Sequence, residues 1–300
     1  MNRYFFFKDL DSHYIIYFLG MRLQFKHRCR FKYKPVEKLG LNTKQRNPAL
    51  IVSLTSYPAR INTVHITINT LLNQTLKPDK VILWLAREQF NDIPDELKRL
   101  EQYGLTIEWC DEDLKSYKKL VPALLKYPED IIVTADDDVY YDSYMLEHLY
   151  QAYLKNPDNI YVRRAVKLNL KGNCLRGVSP RKYFYQYEKN ASFFNQIMGG
   201  SGCLYPPKSL YKDVTDMLKI KELVPTHDDA FFWAMAVLNY TKIQVIDGFD
   251  ADLNYVEGTQ DVGLIHKNKK SGEGICLEEA YKILIREYPQ ILSKLKQNMV

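Results

Sequence analysis

Three consecutive carboxylates, Asp136, Asp137 and Asp138, follow the apolar run IIVTA at 131–135. Adjacent carboxylates repel one another, and removal from water disfavours their charged forms further. A bound divalent cation cancels that penalty, because hard ions such as Mg2+ take oxygen ligands and share them with substrate phosphates. Side chains alternate along extended chain, which places Asp136 and Asp138 on one face and Asp137 on the other. One face then takes the metal while the other reaches a ribose or orients a neighbour. The competing reading is a solvated acidic loop, or a helix start favoured by the dipole. A second acidic pair, Asp228 and Asp229, lies in PTHDDAFFW at 225–233, where Thr226 and Asp229 have the spacing of a capping box. Lys118 and Lys119 precede the triplet. A lysine suits phosphate as a point charge, and the alternative is a solvated helix face. The loop MGGSG at 198–202 lets backbone approach a ligand closely, or is a turn between strands.

The elements that must position these residues follow from periodicity. ALIVSLT at 49–55, bounded by Pro48 and Pro58, reads as a buried strand. Ile61, Val64, Ile68, Leu71 and Leu72 have helical spacing, stopped by Pro78. Residues 81–85, 105–109 and 131–135 read as further strands, with a helix near 94–102 ended by Gly104. Residues 116–126 read as helical, Pro122 marking a kink or a late start. Strand and helix alternating with short loops indicate an α/β fold, a mostly parallel sheet with helices on both faces. Ligands bind beyond the carboxyl ends of such strands, where the triplet lies. Beyond it, Leu146, Leu149, Tyr150, Tyr153 and Leu154 form the apolar stripe of a helix that Asp142 or Ser143 can cap. Residues 160–225 show no clear period. Residues 231–238 read as a buried helix, 243–246 as a strand, and 277–296 as a final helix interrupted at Pro289.

The 300 residues, 46% hydrophobic and 26% charged, suit an ordinary folded protein. The net charge of +6 is uneven: residues 1–46 hold 11 Lys and Arg against 3 Asp and Glu, and the remainder holds 31 against 33. The basic excess sits in an N-terminal arm, so the body lacks the charge of a nucleic-acid-binding domain. The aromatic runs YFFF at 4–7 and YIIYFL at 14–19 fall short of the ~20 residues that span a bilayer. No small-residue cleavage site follows them. Together with the basic residues from Arg22 to Lys38 they suit an anionic membrane surface, or else an edge hairpin packed on the core beside a solvated basic loop. The five cysteines, Cys29, Cys110, Cys174, Cys203 and Cys276, make no CxxC pair, which points to reduced thiols in a cytosolic protein.

SLTSYPAR at 53–60, SYKKL at 116–120 and a strand ending in three aspartates resemble GT-A glycosyltransferases, the family 2-like bacterial enzymes of lipopolysaccharide and capsule synthesis above all. The resemblance runs over roughly residues 49–246. It implies a nucleoside-diphosphate-sugar donor, usually UDP-linked, Mn2+ or Mg2+, a glycan or glycolipid acceptor, and transfer with inversion. It divides the chain into an arm at 1–47, a catalytic domain at 48–270 with nucleotide-sugar and acceptor halves meeting near 140, and a C-terminal helix at 271–300. By position, Thr55 and Tyr57 meet the nucleotide, and Arg60 meets the diphosphate or an acidic neighbour. One of Lys118 and Lys119 faces the donor, as do Asp136 and Asp137, and Asp111 or Asp113 reaches the base or ribose. Asp136 and Asp138 hold the metal, with His266 as a third ligand. Asp229 or Asp228 is the base that takes the proton of the acceptor hydroxyl. HDD stands where many relatives have ED, leaving both aspartates open. The chain has no QxxRW motif, which favours addition of a single sugar over polymerisation. A metal-dependent nucleotidyltransferase and a non-catalytic membrane-attached scaffold are the other readings.

Overall fold

A computed structural model describes residues 5–10, 13–18, 21–26, 34–44, 46–178, 187–246, 253–262 and 275–299. The arm forms three strands, β1 (Phe5–Leu10), β2 (His13–Phe18) and β3 (Met21–Lys26), paired antiparallel in a sheet of their own. This is one strand more than the expected hairpin, and the sheet is separate from the main one.

The four apolar runs read from the sequence become parallel strands: β4 (Leu50–Thr55), β5 (Lys80–Ala86), β6 (Leu105–Cys110) and β7 (Ile131–Ala135). Between them lie helices α1 (Val64–Leu72), α2 (Asp95–Glu101) and α3 (Val121–Lys126). Residues 116–126 split as the proline suggests: a 3-10 turn over Lys115–Lys119 precedes α3, which carries Pro122 in its first turn, where no amide hydrogen is needed. Helix α4 (Met145–Lys155) follows the triplet. The unperiodic stretch then supplies strands β8 (Ile160–Val162), β9 (Ala165–Lys171), β10 (Cys174–Gly177), β11 (Asn195–Ile197) and β12 (Cys203–Tyr205), and helix α5 (Met217–Leu223). Helix α6 (Asp228–Leu238), strand β13 (Ile243–Val245), and helices α7 (Leu277–Glu287) and α8 (Gln290–Gln297) complete the chain. The expected single final helix is therefore two helices parted at Pro289.

The main sheet has seven strands in the order β13-β8-β12-β7-β4-β5-β6. β12 runs antiparallel to both its neighbours, and the other pairs are parallel. Alternate side chains feed two cores. Leu50, Val52 and Leu54 pack with Ile68, Leu97, Leu146 and Leu149 on the face of α1, α2 and α4. Ile51, Ile82 and Ile132 pack with Val121, Phe231, Phe232 and Tyr281 on the face of α3, α6, α7 and α8. Helix α6 is buried from Ala230 to Leu238, so it is apolar all round. Each of its large side chains contributes about 1.5–3 kcal/mol on burial.

Register then sets the site. Ser53 lies opposite Thr134 and Leu54 opposite Ala135, so the loops leaving β4 and β7 emerge side by side. Cys203 lies opposite Thr134 from the other side, so the chain entering β12 arrives at the same edge. Two details differ from the sequence reading near α4. Neither Asp142 nor Ser143 caps the helix: Asp142 accepts from the Tyr144 amide at 3.1 Å and pairs with Arg163 at 2.6 Å instead. Leu154 is 55% exposed, because the buried stripe runs through Met145, Leu146 and Leu149.

Candidate active site

The chain leaves extended conformation at Ala135, so the alternation expected for the triplet does not hold. Asp137 and Asp138 share one partner. The Arg60 guanidinium donates to Asp137 Oδ1 at 2.8 Å, pairs with Asp138 Oδ2 at 2.9 Å and donates to the Thr259 carbonyl at 3.1 Å. The Ser56 hydroxyl donates to Asp137 Oδ2 at 2.6 Å, and the Gln260 amide donates to Asp138 Oδ2 at 2.8 Å. Asp136 turns to the other side, where Lys119 Nζ donates to its Oδ1 at 2.9 Å. The Tyr141 hydroxyl accepts from the Asp136 amide at 2.8 Å and donates to the Gly200 carbonyl at 2.9 Å. Asp137 and Asp138 are buried, and Asp136 is half-buried. Burial, with Asp136 beside it, pushes Asp138 up to about 7 against the pull of Arg60. Burial also raises Asp137 despite Arg60 and Ser56.

The second acidic pair stands at the amino end of α6, directly across Lys119. The Thr226 capping box does not form: the cap position is His227, without a side-chain cap bond, and its Nε2 lies 2.7 Å from the Ile275 carbonyl. Asp229 instead accepts from the Gly199 amide, each oxygen at 3.1 Å. Asp228 Oδ2 lies 2.9 Å from Lys119 Nζ, an ion pair without hydrogen-bond geometry, and is sealed from solvent. Burial and then Asp228 push Asp229 up, against Lys119. Burial works against the Lys119 ammonium, but Asp136, Asp228 and Asp229 outweigh it and hold its pKa well above the lysine value. The glycine loop between β11 and β12 closes on these groups. A Cβ on Gly199 would lie 2.8 Å from Asp229 Oδ1, and one on Gly200 would lie 2.9 Å from Asp136 Oδ2. The loop is thus a turn between strands, and its close approach is to carboxylates.

The other candidates are spread along the edge. Neither lysine is a solvated face: Lys118 is as buried as Lys119 and pairs with Asp113. That partner, with the Lys115 amide and Gln89, outweighs burial and keeps Asp113 below the usual carboxylate range. Asp111 is 96% exposed and 3.9 Å from Arg87, outside the cluster. Thr55 donates to the Trp84 carbonyl at 2.8 Å, and the Tyr57 ring lies 5.7 Å from the Arg60 guanidinium. His266 lies outside the described residues. Sequence reasoning missed Ser56, Tyr141, Thr259 and Gln260. Ser56 lies inside a quoted motif and Tyr141 three residues beyond the triplet, but Thr259 and Gln260 arrive from a distant segment with no local signal.

Five carboxylates, Asp136, Asp137, Asp138, Asp228 and Asp229, face two cations, Arg60 and Lys119. Among the described residues no three His, Cys, Asp or Glu side chains form a group that holds a metal by itself. A cluster with more carboxylates than cations nevertheless suits a hard dication, which binds through one or two carboxylates when phosphates and water supply the rest. The excess negative charge favours it.

No family model and no curated protein matches the chain. Among solved structures, S. aureus TarS 1–349 in complex with UDP-GlcNAc matches at 16% identity and a TM-score of 0.51, over 83% of this chain and 71% of that one. A second structure of TarS 1–349 matches at 16% identity and 0.47, over 83% and 70%. The mannosyltransferase PcManGT from Pyrobaculum calidifontis, in complex with GDP-Man and Mn2+, matches at 14% identity and 0.44, over 89% and 77%. The chain therefore has a GT-A-like α/β fold, shared with the UDP-GlcNAc-bound TarS structure.

Proposed function

We propose that the chain is a metal-dependent glycosyltransferase that moves one sugar from a nucleoside-diphosphate-sugar, UDP-linked, to a glycan or glycolipid acceptor of bacterial surface polysaccharide, with inversion. The observation that carries this reading is the excess of carboxylate over side-chain cation where β4, β7 and β12 meet, with Asp136 and Asp228 each 2.9 Å from one lysine and Asp229 next to Asp228. Residues 48–140 form the donor half and 141–270 the acceptor half. Asp136 and Asp138 would hold Mn2+ or Mg2+, which would supply neutralising charge to a diphosphate leaving group. Arg60 fixes Asp137 and Asp138, and Tyr57 and Thr55 lie along the nucleotide path. Asp229 is the base in preference to Asp228, because burial tunes its carboxyl toward the pH of use. It accepts the proton of the acceptor hydroxyl. The acceptor oxygen bonds to the anomeric carbon, the bond from that carbon to the diphosphate breaks, and the nucleoside diphosphate leaves.

Screening nucleotide-sugars with and without Mn2+, the UDP-sugars first, tests this directly. Release of nucleoside diphosphate is expected. Release of pyrophosphate would make the chain a nucleotidyltransferase instead, and no turnover of any donor would leave a scaffold.

No helix among the described residues is long and apolar enough to cross a membrane. We place the enzyme peripherally on the inner face of the cytoplasmic membrane, held by the β1–β3 sheet and the basic stretch after it. The register sets Phe5 opposite Phe18 and Phe18 opposite Met21, and Phe7 opposite Ile16 and Ile16 opposite Leu23. Full-length protein should co-sediment with anionic liposomes, and protein starting at Lys34 should not. That start keeps Val36, which is buried and donates to Asn69 at 2.7 Å. Equal binding by both would end the membrane assignment.

A further inference from the structure

We propose that Lys119 is a positioning residue that couples the donor and acceptor sides: it occupies Asp136 until a divalent cation takes that carboxylate, and is then left to Asp228 and Asp229. The inference rests on the metal-dependent transferase reading above.

The geometry is specific to this lysine. Its side chain is 6% exposed, and its Nζ lies 2.9 Å from Asp136 Oδ1 and 2.9 Å from Asp228 Oδ2. A Cβ on Gly199 would come within 3.2 Å of Nζ, so the glycine loop walls the ammonium in. Arg60 is engaged by Asp137, Asp138 and the Thr259 carbonyl, so it does not serve this side. Asp136 and Asp228 thus share one ammonium, with Asp229 next to Asp228 in the chain. Asp228 Oδ2 has no hydrogen-bond partner and depends on that charge alone.

A dication on Asp136 repels an ammonium within a few ångströms of it. Walled in, the ammonium shifts toward α6, where it stabilises Asp228 and Asp229 as anions. Occupation of the metal site thereby draws the ammonium to the base side, where it favours the carboxylate form that accepts the acceptor proton. Such coupling is reciprocal by thermodynamic necessity. The charge on Asp228, which takes no part in binding the ion, must therefore change metal affinity, and must do so through Lys119.

The test is Mn2+ affinity of the full chain, measured by calorimetry without donor. Lys119→Met removes the competitor for Asp136, and Mn2+ should bind about 10-fold tighter while kcat falls. If Lys119 were instead a phosphate ligand or a structural filler, the same change would leave Mn2+ affinity unaltered or weaken it. Lys119→Arg keeps the charge and should hold Mn2+ affinity within about twofold of the unaltered protein. Asp228→Asn is isosteric and leaves Lys119 to Asp136, so Mn2+ should bind at least about 5-fold more weakly. In a Lys119→Met background most of that loss should vanish. Should Lys119→Met not fold, Asp228→Asn decides alone, and unchanged affinity overturns the coupling. Mn2+ binding that ignores both substitutions overturns it too. No Mn2+ binding to the unaltered protein overturns the metal reading, and the coupling with it.

Discussion

At Asp138, burial that raises the carboxyl to about 7 meets two groups that favour its anion, Arg60 and Gln260. Asp138→Asn keeps the side-chain shape and removes the charge that a dication needs. Mn2+-dependent donor binding should be lost while the far-UV circular dichroism is unchanged; retained binding would remove Asp138 from the metal site. Asp229 should behave in the opposite sense. Asp229→Asn leaves donor binding intact and lowers kcat by about 10²–10⁴-fold, the usual contribution of a general base. As the base Asp229 must be ionised, so kcat/KM, which reports the free protein, should climb as pH rises through about 7 and level off above it. A profile flat from pH 5 to 9 would argue for another base. Asp136, Lys119 and Arg60 were legible in the sequence, because clustered like charges need compensation wherever the chain puts them. That Asp137 and Asp138 share Arg60 was not, since it depends on the chain turning at Ala135 rather than continuing extended.

Between β11 and β12 the glycine loop meets the amino end of α6, and the two are fixed by different means. Helix α6 is held by its apolar surface, with the Trp233 indole donating to the Phe193 carbonyl at 2.8 Å. The loop is held by what would collide with it. Gly199→Ala places a methyl group 2.8 Å from Asp229 Oδ1, so that the carboxylate must move from its place against the Gly199 amide. Overpacking of this kind costs about 1–3 kcal/mol, and the displaced carboxylate should cost kcat more than donor KM. Steady-state kinetics with a melting curve would check both, and an unaffected kcat would separate the loop from the base. Strands β4, β5 and β7 were legible as mostly apolar runs between turn signals, and β6 by its apolar Leu105, Ile107 and Trp109 at alternate positions. β8, β11 and β12 were not, because three residues are too few to show a period. The capping box at Thr226 misled for a physical reason: Asp229 finds a better partner in the Gly199 amide than in its own helix.

For the molecule as a whole, charge placed for chemistry is charge placed against stability. Asp137, Asp138 and Asp229 bind a proton more readily folded than unfolded, so between about pH 4 and 7 the native state carries the extra protons. Stability should then fall as pH rises across that window. His65, which burial holds below its ordinary value, works the other way, one group against three. Asp113 and Asp213, lowered by lysine partners, have spent their effect below it. In EDTA the melting temperature should be lower at pH 8 than at pH 5, and Mn2+ should raise it more at pH 8; a higher value at pH 8 in EDTA would contradict the assigned burial. The division between a basic arm and a near-neutral body was legible from charge counts alone. The middle of the main sheet was not, because β12 enters it from a stretch without periodicity and against the direction of its neighbours.

That reversed strand bears on how the chain is made. β4 to β7 can pair as they leave the ribosome, since each lies beside a strand already synthesised or soon to follow. β8 pairs with β12 and β13, which are translated later, and β12 bridges it to β7. A nascent chain halted before Cys203 therefore holds β4 to β7 with an open flank at β7, a surface that folding helpers and proteases can read. β12 closes that flank only when the glycine loop has been laid down, so the two aspartate clusters meet late in synthesis.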